Sequence, residues 1–118
     1  MATGEEIYND TCSGCHQVTG MGIPGIYPPL IAGAAFQAAE VWMQPLEARG
    51  LLKDGRIQLG SIEAHIDVVV HGIPNSTMFG FGGVLSEEKI AAVVTHERNA
   101  WGDDTGDVIQ PAQVEAAR

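Results

Sequence analysis

The sequence predicts a helical domain, on three observations. Apolar residues recur at helical spacing in two stretches, Ile62, Ile66, Val69 and Val70, then Ile90, Val93 and Val94. Three candidate helices open on a hydroxyl side chain suited to capping: Thr3, Ser61 and Ser86. Between them lie segments rich in glycine and proline, with no visible βαβ alternation. At 118 residues the chain has the size of one domain. Residues 1–104 are assigned to it, and 105–118 form a C-terminal tail.

Thr3-Gly4-Glu5-Glu6 fits a capping box, so a helix from about Gly4 should run into Cys12. Gly4 costs helix stability relative to alanine, and close approach by another helix would compensate. Residues 17–35 read as loop, because Gly20, Gly22, Pro24, Gly25, Pro28 and Pro29 forbid a long helix. Phe36, Val41, Trp42 and Leu46 suggest a short helix ended or kinked near Pro45. Lys53-Asp54-Gly55-Arg56 reads as a turn. Ser61 caps the next helix, and Gly72 suits the position that ends it. Residues 72–83 are a glycine-rich loop carrying Met78 with aromatic neighbours, Phe79 and Phe81. Ser86 opens the last clear helix, with a buried stripe of Ile90, Val93, Val94 and Trp101 ended by Gly102-Asp103-Asp104. The tail holds Pro111 and is expected to be loop followed by at most a weak helical turn.

Net charge is −9, from 15 acidic and 6 basic residues. Nucleic acid is thereby excluded as an expected partner, since its binding rests on basic patches. The acidic balance serves solubility or steering toward a basic partner surface. No apolar run approaches the length that spans a bilayer.

The chemistry concentrates in Cys12-Ser13-Gly14-Cys15-His16, which holds both cysteines of the chain. The spacing C-x-x-C-H is the attachment signal for a c-type haem. One helical turn brings the Cys12 and Cys15 sulfurs to one edge of a porphyrin, and His16 is carried beneath the ring to bind iron. A thioredoxin-like pair would want a preceding strand, a zinc site would want two further ligands, and a disulfide would leave His16 unexplained. Pro28-Pro29-Leu30 follows 12 to 14 residues after His16. A carbonyl there, from Pro28 in preference to Pro29, can accept the second ring N–H of an iron-bound imidazole. Met78, in its glycine-rich loop, is the candidate sixth ligand through its thioether. His65 and His71 are expected to be exposed helix residues, and His96 packed or solvent-facing. Trp42, Lys53 and Arg56 could approach a propionate, with surface or core packing preferred for each. Covalent haem attachment occurs outside the cytoplasmic membrane, and no signal peptide opens the chain. The chain therefore reads as an excised piece whose export signal or membrane anchor preceded Met1.

With C-x-x-C-H, a proline loop, a methionine loop and a terminal helix in that order, nearly the whole chain resembles class I cytochromes c. The resemblance implies an all-α class I cytochrome c fold, with four or so helices around one covalent haem c and the N- and C-terminal helices crossing. It implies thioethers at Cys12 and Cys15, proximal ligation by His16, a carbonyl acceptor at Pro28, haem packing by Leu30, and distal ligation by Met78. Gly4 and Tyr8 would belong to the helix crossing. Glu63-Ala64-His65-Ile66-Asp67, Asn99-Ala100-Trp101-Gly102 and Asp104-Thr105-Gly106-Asp107-Val108 look like the cytochrome c domain fused to subunit II of some bacterial cytochrome c oxidases. That likeness implies one-electron transfer, without enzymatic turnover of its own, to the copper centre of the same subunit on the periplasmic face. A free periplasmic carrier and a dehydrogenase domain are the alternatives, and a five-coordinate haem peroxidase or gas sensor is the rival from another class. The sequence departs from the family in three places: Phe79 stands after Met78, His96 where an aromatic is usual, and the region from Trp42 to Ser61 is longer. Val18, Met21, Ile23 and Phe79 would ring the exposed haem edge as a weak docking patch for redox partners.

Overall fold

A computed structural model of the chain describes residues 3–17, 19–23, 27–73, 78 and 80–118. Among them the order is α1 (Gly4–Thr11), α2 (Ser13–His16), α3 (Glu40–Ala48), β1 (Leu52–Lys53), β2 (Arg56–Ile57), α4 (Ile62–His71), α5 (Glu87–Asn99) and α6 (Pro111–Ala117). The architecture is mainly helical, as a class I c-type cytochrome fold requires.

The three hydroxyl caps form where the sequence puts them. Thr3, Ser61 and Ser86 accept from the backbone N–H of Glu6, Ala64 and Lys89, each satisfying one orphan donor of a first turn. Helix α1 crosses α5 at Gly4, where an added Cβ would lie 2.3 Å from the Ala92 carbonyl oxygen. The missing side chain lets the two backbones touch. Tyr8, fully buried, packs its ring 5.6 Å from His96 and 5.0 Å edge-on from Trp101. His96 and Trp101 are themselves 5.5 Å apart, so the histidine joins a three-ring cluster at the crossing.

The structure corrects four local expectations. Helix α5 stops at Asn99, and Trp101 sits in the turn beyond it at φ 57°. Asn99 binds the Asp107 carbonyl and the Gly106 N–H, both at 2.9 Å, which diverts the chain there. Glu97 and Arg98, left out of the expected stripe, are buried.

Helix α3 begins at Glu40, after Phe36, and runs through Pro45 to Ala48. Proline forfeits one backbone bond there. The Arg49 guanidinium donates to the Pro45 carbonyl at 2.9 Å, and Leu46 is buried with Phe36, Leu52 and Ile57. The expected turn at Asp54-Gly55 closes a hairpin pairing Leu52 with Ile57 and Lys53 with Arg56. Both turn residues have positive φ, 54° and 74°, the requirement of a type I′ connection.

The tail is more than loop. Gln110 and Gln113 form a reciprocal cap around Pro111, which starts α6 instead of breaking it. Val114 is fully buried and Ile109 nearly so, both in the main core. The Arg118 guanidinium pairs with Glu87 at 3.1 Å and reaches the carbonyls of Gly82 and Leu85. His71 donates to the Ala117 carbonyl at 2.7 Å and is exposed, as expected.

His65, expected on the surface, is instead buried at 9% exposure. It hydrogen-bonds to Glu97 at 2.9 Å, and that partner lets a polar ring enter the core.

Candidate functional site

Cys12, Cys15 and His16 lie on one helical turn. The N–H groups of Cys15 and His16 both point to the Cys12 carbonyl, at 3.2 and 3.0 Å. Beyond α2 the chain reverses: Gly22 N–H donates to the His16 carbonyl at 2.9 Å, and Leu30 N–H to the Gly20 carbonyl at 2.7 Å. Gly22, at φ 65°, leaves no room for a side chain; its Cβ would fall 2.7 Å from the Pro28 carbonyl oxygen. That oxygen is thereby free to accept the His16 Nδ1–H at 2.8 Å. The imidazole is oriented, and its Nε2 is the remaining ligating atom. Asp103 fastens the same loop from the far end of the chain, accepting the Ala32 N–H at 2.9 Å. Burial raises the Asp103 carboxyl above the ordinary range.

The methionine loop is anchored on the end of α4. Ile73 N–H donates to the Met78 carbonyl at 2.9 Å, Phe81 N–H to that of Val69 at 2.8 Å, and Gly82 N–H to that of Val70 at 3.0 Å. Gly80 permits this: a Cβ there would sit 2.3 Å from the Val70 carbonyl oxygen. Pro74 to Thr77 and Phe79 lie outside the described residues, as do Val18 and the Pro24–Ile26 segment. Of the expected docking patch, Met21 is 59% exposed and Ile23 is half-buried.

Between the main core and the Phe36–Ile57 cluster lies a cavity of about 410 Å³. The six residues expected to hold the cofactor all line it: Cys12, Cys15, His16, Pro28, Leu30 and Met78. Trp42, Leu46, Leu51, Ile57 and Gln58 close one side, so the long 42–61 region forms a wall of the cavity. Lys53 is absent from that wall, and Arg56 spends a guanidinium N–H on the Gly33 carbonyl at 3.0 Å. A second, more open recess of about 510 Å³ lies between α4 and α6 and is lined by neither thiol, imidazole nor thioether.

Two cysteines are free thiols, and Cys12 is buried. Burial, reinforced by the nearby Glu97 carboxylate, pushes the Cys12 thiol up to about 12. It therefore stays protonated at neutral pH. Tyr8 is raised above the ordinary phenol range by burial and by Glu97, and its hydroxyl donates to the Gln17 carbonyl at 2.5 Å. Among the described residues no cluster of three His, Cys, Asp or Glu could hold a metal ion, as a zinc site would require.

A largely apolar cavity of cofactor size, with two thiols and an imidazole on one wall and a thioether on another, has the donor set of a covalent haem. The sequence pattern of the family described as cytochrome c oxidase, cbb3-type, subunit III matches residues 1–96. The chain belongs to this family of c-type cytochrome domains. Over 102 residues it is 35% identical to cytochrome c-552 of Thermus thermophilus, covering 86% of this chain and 70% of that protein. A second cytochrome c-552, from a named strain of the same species, gives the same identity over 62% of its length. The gluconate 2-dehydrogenase cytochrome c subunit of Pantoea cypripedii is 27% identical across 98% of this chain and 24% of that subunit. Family membership implies a covalent haem c, and Cys12, Cys15 and His16 supply its attachment motif. As a cytochrome c domain the chain is an electron carrier rather than an enzyme in itself.

Sequence reasoning missed Glu97, which lines the cavity at 3% exposure, and misplaced His65, which lines it too. One signal was available: Glu97 falls four residues after Val93, on the apolar stripe of α5.

Proposed function

We propose that this chain is a one-electron relay with His16 and Met78 as axial ligands and Cys12 and Cys15 as thioether anchors. The observation that carries the reading is the convergence of these four side chains on one cavity, with His16 held by the Pro28 carbonyl. When bound, haem c supplies a ferric/ferrous couple. Pro28 fixes the imidazole plane and raises its basicity, Leu30 and the 42–61 wall exclude water, and the Met78 thioether favours a high potential. Ligation by both His16 and Met78 would leave no iron position for a substrate.

We place the relay in a respiratory chain on the periplasmic side, as the cytochrome domain of a terminal-oxidase subunit II that passes electrons to the copper centre of that subunit. The Asn99-Ala100-Trp101-Gly102 and Asp104–Val108 segments support this, since they resemble those domains. Membrane attachment would come through a segment outside this sequence; among the described residues no helix is long and apolar enough to cross a membrane. A second reading, a relay within a dehydrogenase, is favoured by the gluconate 2-dehydrogenase subunit aligning across 98% of the chain.

Stopped-flow mixing of the reduced haem protein with a soluble copper domain of an oxidase subunit II tests this assignment. Rapid oxidation is expected, slowed several-fold in Met21→Lys because a charge enters the exposed apolar contact. Failure of the copper domain to oxidise the protein overturns the oxidase assignment, and an unchanged rate in Met21→Lys removes the docking patch.

A further inference from the structure

The buried group at the α4–α5 contact has a charge balance that its hydrogen bonds determine. Arg98 donates from Nε to Asp107 at 2.9 Å, from Nη2 to the Gly60 carbonyl at 3.1 Å, and from Nη1 to the Leu59 carbonyl at 3.2 Å. The second Nη1–H faces His65 Nδ1 at 3.3 Å. A guanidinium has donors only, so His65 Nδ1 must accept. The imidazole then carries its proton on Nε2 and donates it to Glu97 Oε1 at 2.9 Å. The contact is a hydrogen bond to a carboxylate, without a balancing positive charge on His65. Arg98 is balanced by Asp107, whose carboxyl it holds below the usual range.

Among the described residues no lysine or arginine pairs with Glu97. Cys12 and Tyr8 from α1 also face it. Tyr8 spends its proton on the Gln17 carbonyl, and Cys12, once a thioether, has none to give. At 3% exposure solvent screens Glu97 poorly.

We propose that Glu97 is a potential-setting residue: it brings one uncompensated negative charge to the cavity wall, which favours ferric over ferrous iron. This opposes the Met78 thioether, which favours ferrous. The inference rests on the haem reading above, and His65 acts as a positioning residue that holds the carboxylate toward the cavity.

The test uses the haem-loaded protein equilibrated with a redox dye of known potential. Glu97→Gln keeps the shape and still accepts from His65, and is expected to move the ferric/ferrous equilibrium at least tenfold toward ferrous, about 59 mV for one electron. Glu97→Asp, which keeps the charge, should stay within about threefold of wild type by the same scale. An unchanged equilibrium in Glu97→Gln, with the far-red sulfur–iron band intact, overturns this inference and leaves the haem reading standing. Absence of haem or of that band in the wild type overturns the haem reading itself. Infrared spectroscopy gives a second check, since Asp103 is raised by burial as well. A buried protonated-carboxyl band at neutral pH that is lost in Glu97→Gln and kept in Asp103→Asn overturns the proposal, and the absence of such a band supports the charged form.

Discussion

Met78→Ala is expected to turn a closed electron carrier into a protein that binds carbon monoxide readily when reduced. Among the described residues the thioether is the one cavity-lining donor from the far loop, and nothing in an alanine replaces it. His65, the other imidazole on the cavity wall, is committed through both ring nitrogens to Glu97 and Arg98. Loss of the sulfur ligand also removes its preference for ferrous iron, so the potential should fall by on the order of 0.1 V. The fold should survive, because Met78 is only partly buried against the core and its loop is fixed by backbone bonds at Ile73, Phe81 and Gly82. Carbon monoxide difference spectra check the outcome. Equal resistance in wild type and variant would remove Met78 from the iron; ready binding by the wild type would favour the five-coordinate sensor or peroxidase.

Gly4→Ala should destabilise the domain by about 2 kcal/mol. Helix propensity alone points the other way, since alanine is favoured over glycine by up to about 1 kcal/mol. The two effects differ in sign, which makes the substitution decisive. An added methyl would meet the Ala92 carbonyl oxygen at 2.3 Å and His96 Cβ at 2.9 Å. The first neighbour is helix backbone and cannot rotate away, so α1 and α5 must separate. Separation would loosen the Tyr8, His96 and Trp101 rings at the same crossing. Urea unfolding of the haem-loaded protein measures the difference, and a stabilised variant would mean the helices do not touch there.

What the sequence made legible was local chemistry. Three caps, the Gly72 stop after α4 and the tight turn at Asp54-Gly55 each depend on a few neighbouring residues, so composition at fixed offsets was enough. Cys12, Cys15 and His16 were found because haem attachment imposes its own spacing, Pro28 and Met78 from the composition of their loops, and Leu30 only through the family resemblance. The errors came where distant residues decide. Pro45 looks like the end or a kink of α3, yet a second apolar cluster and Arg49 carry the helix three residues past it, to Ala48. Pro111 looks like a breaker, yet it starts a helix because Val114 has a core to enter. His65 looks like a surface residue until Glu97, 32 positions later, is brought to its ring. The partnerships of Pro45 and Pro111 leave no periodic trace, and that of His65 leaves only the place of Glu97 on the α5 stripe.

Ligation of iron from both sides, by His16 within the attachment motif and by Met78 across the cavity, is tested most directly by the far-red absorption of the oxidised wild-type protein. A red protein showing the weak band of a sulfur–iron bond, lost in Met78→Ala, is the predicted result. A colourless protein, or a red one whose spectrum lacks that band, would contradict it.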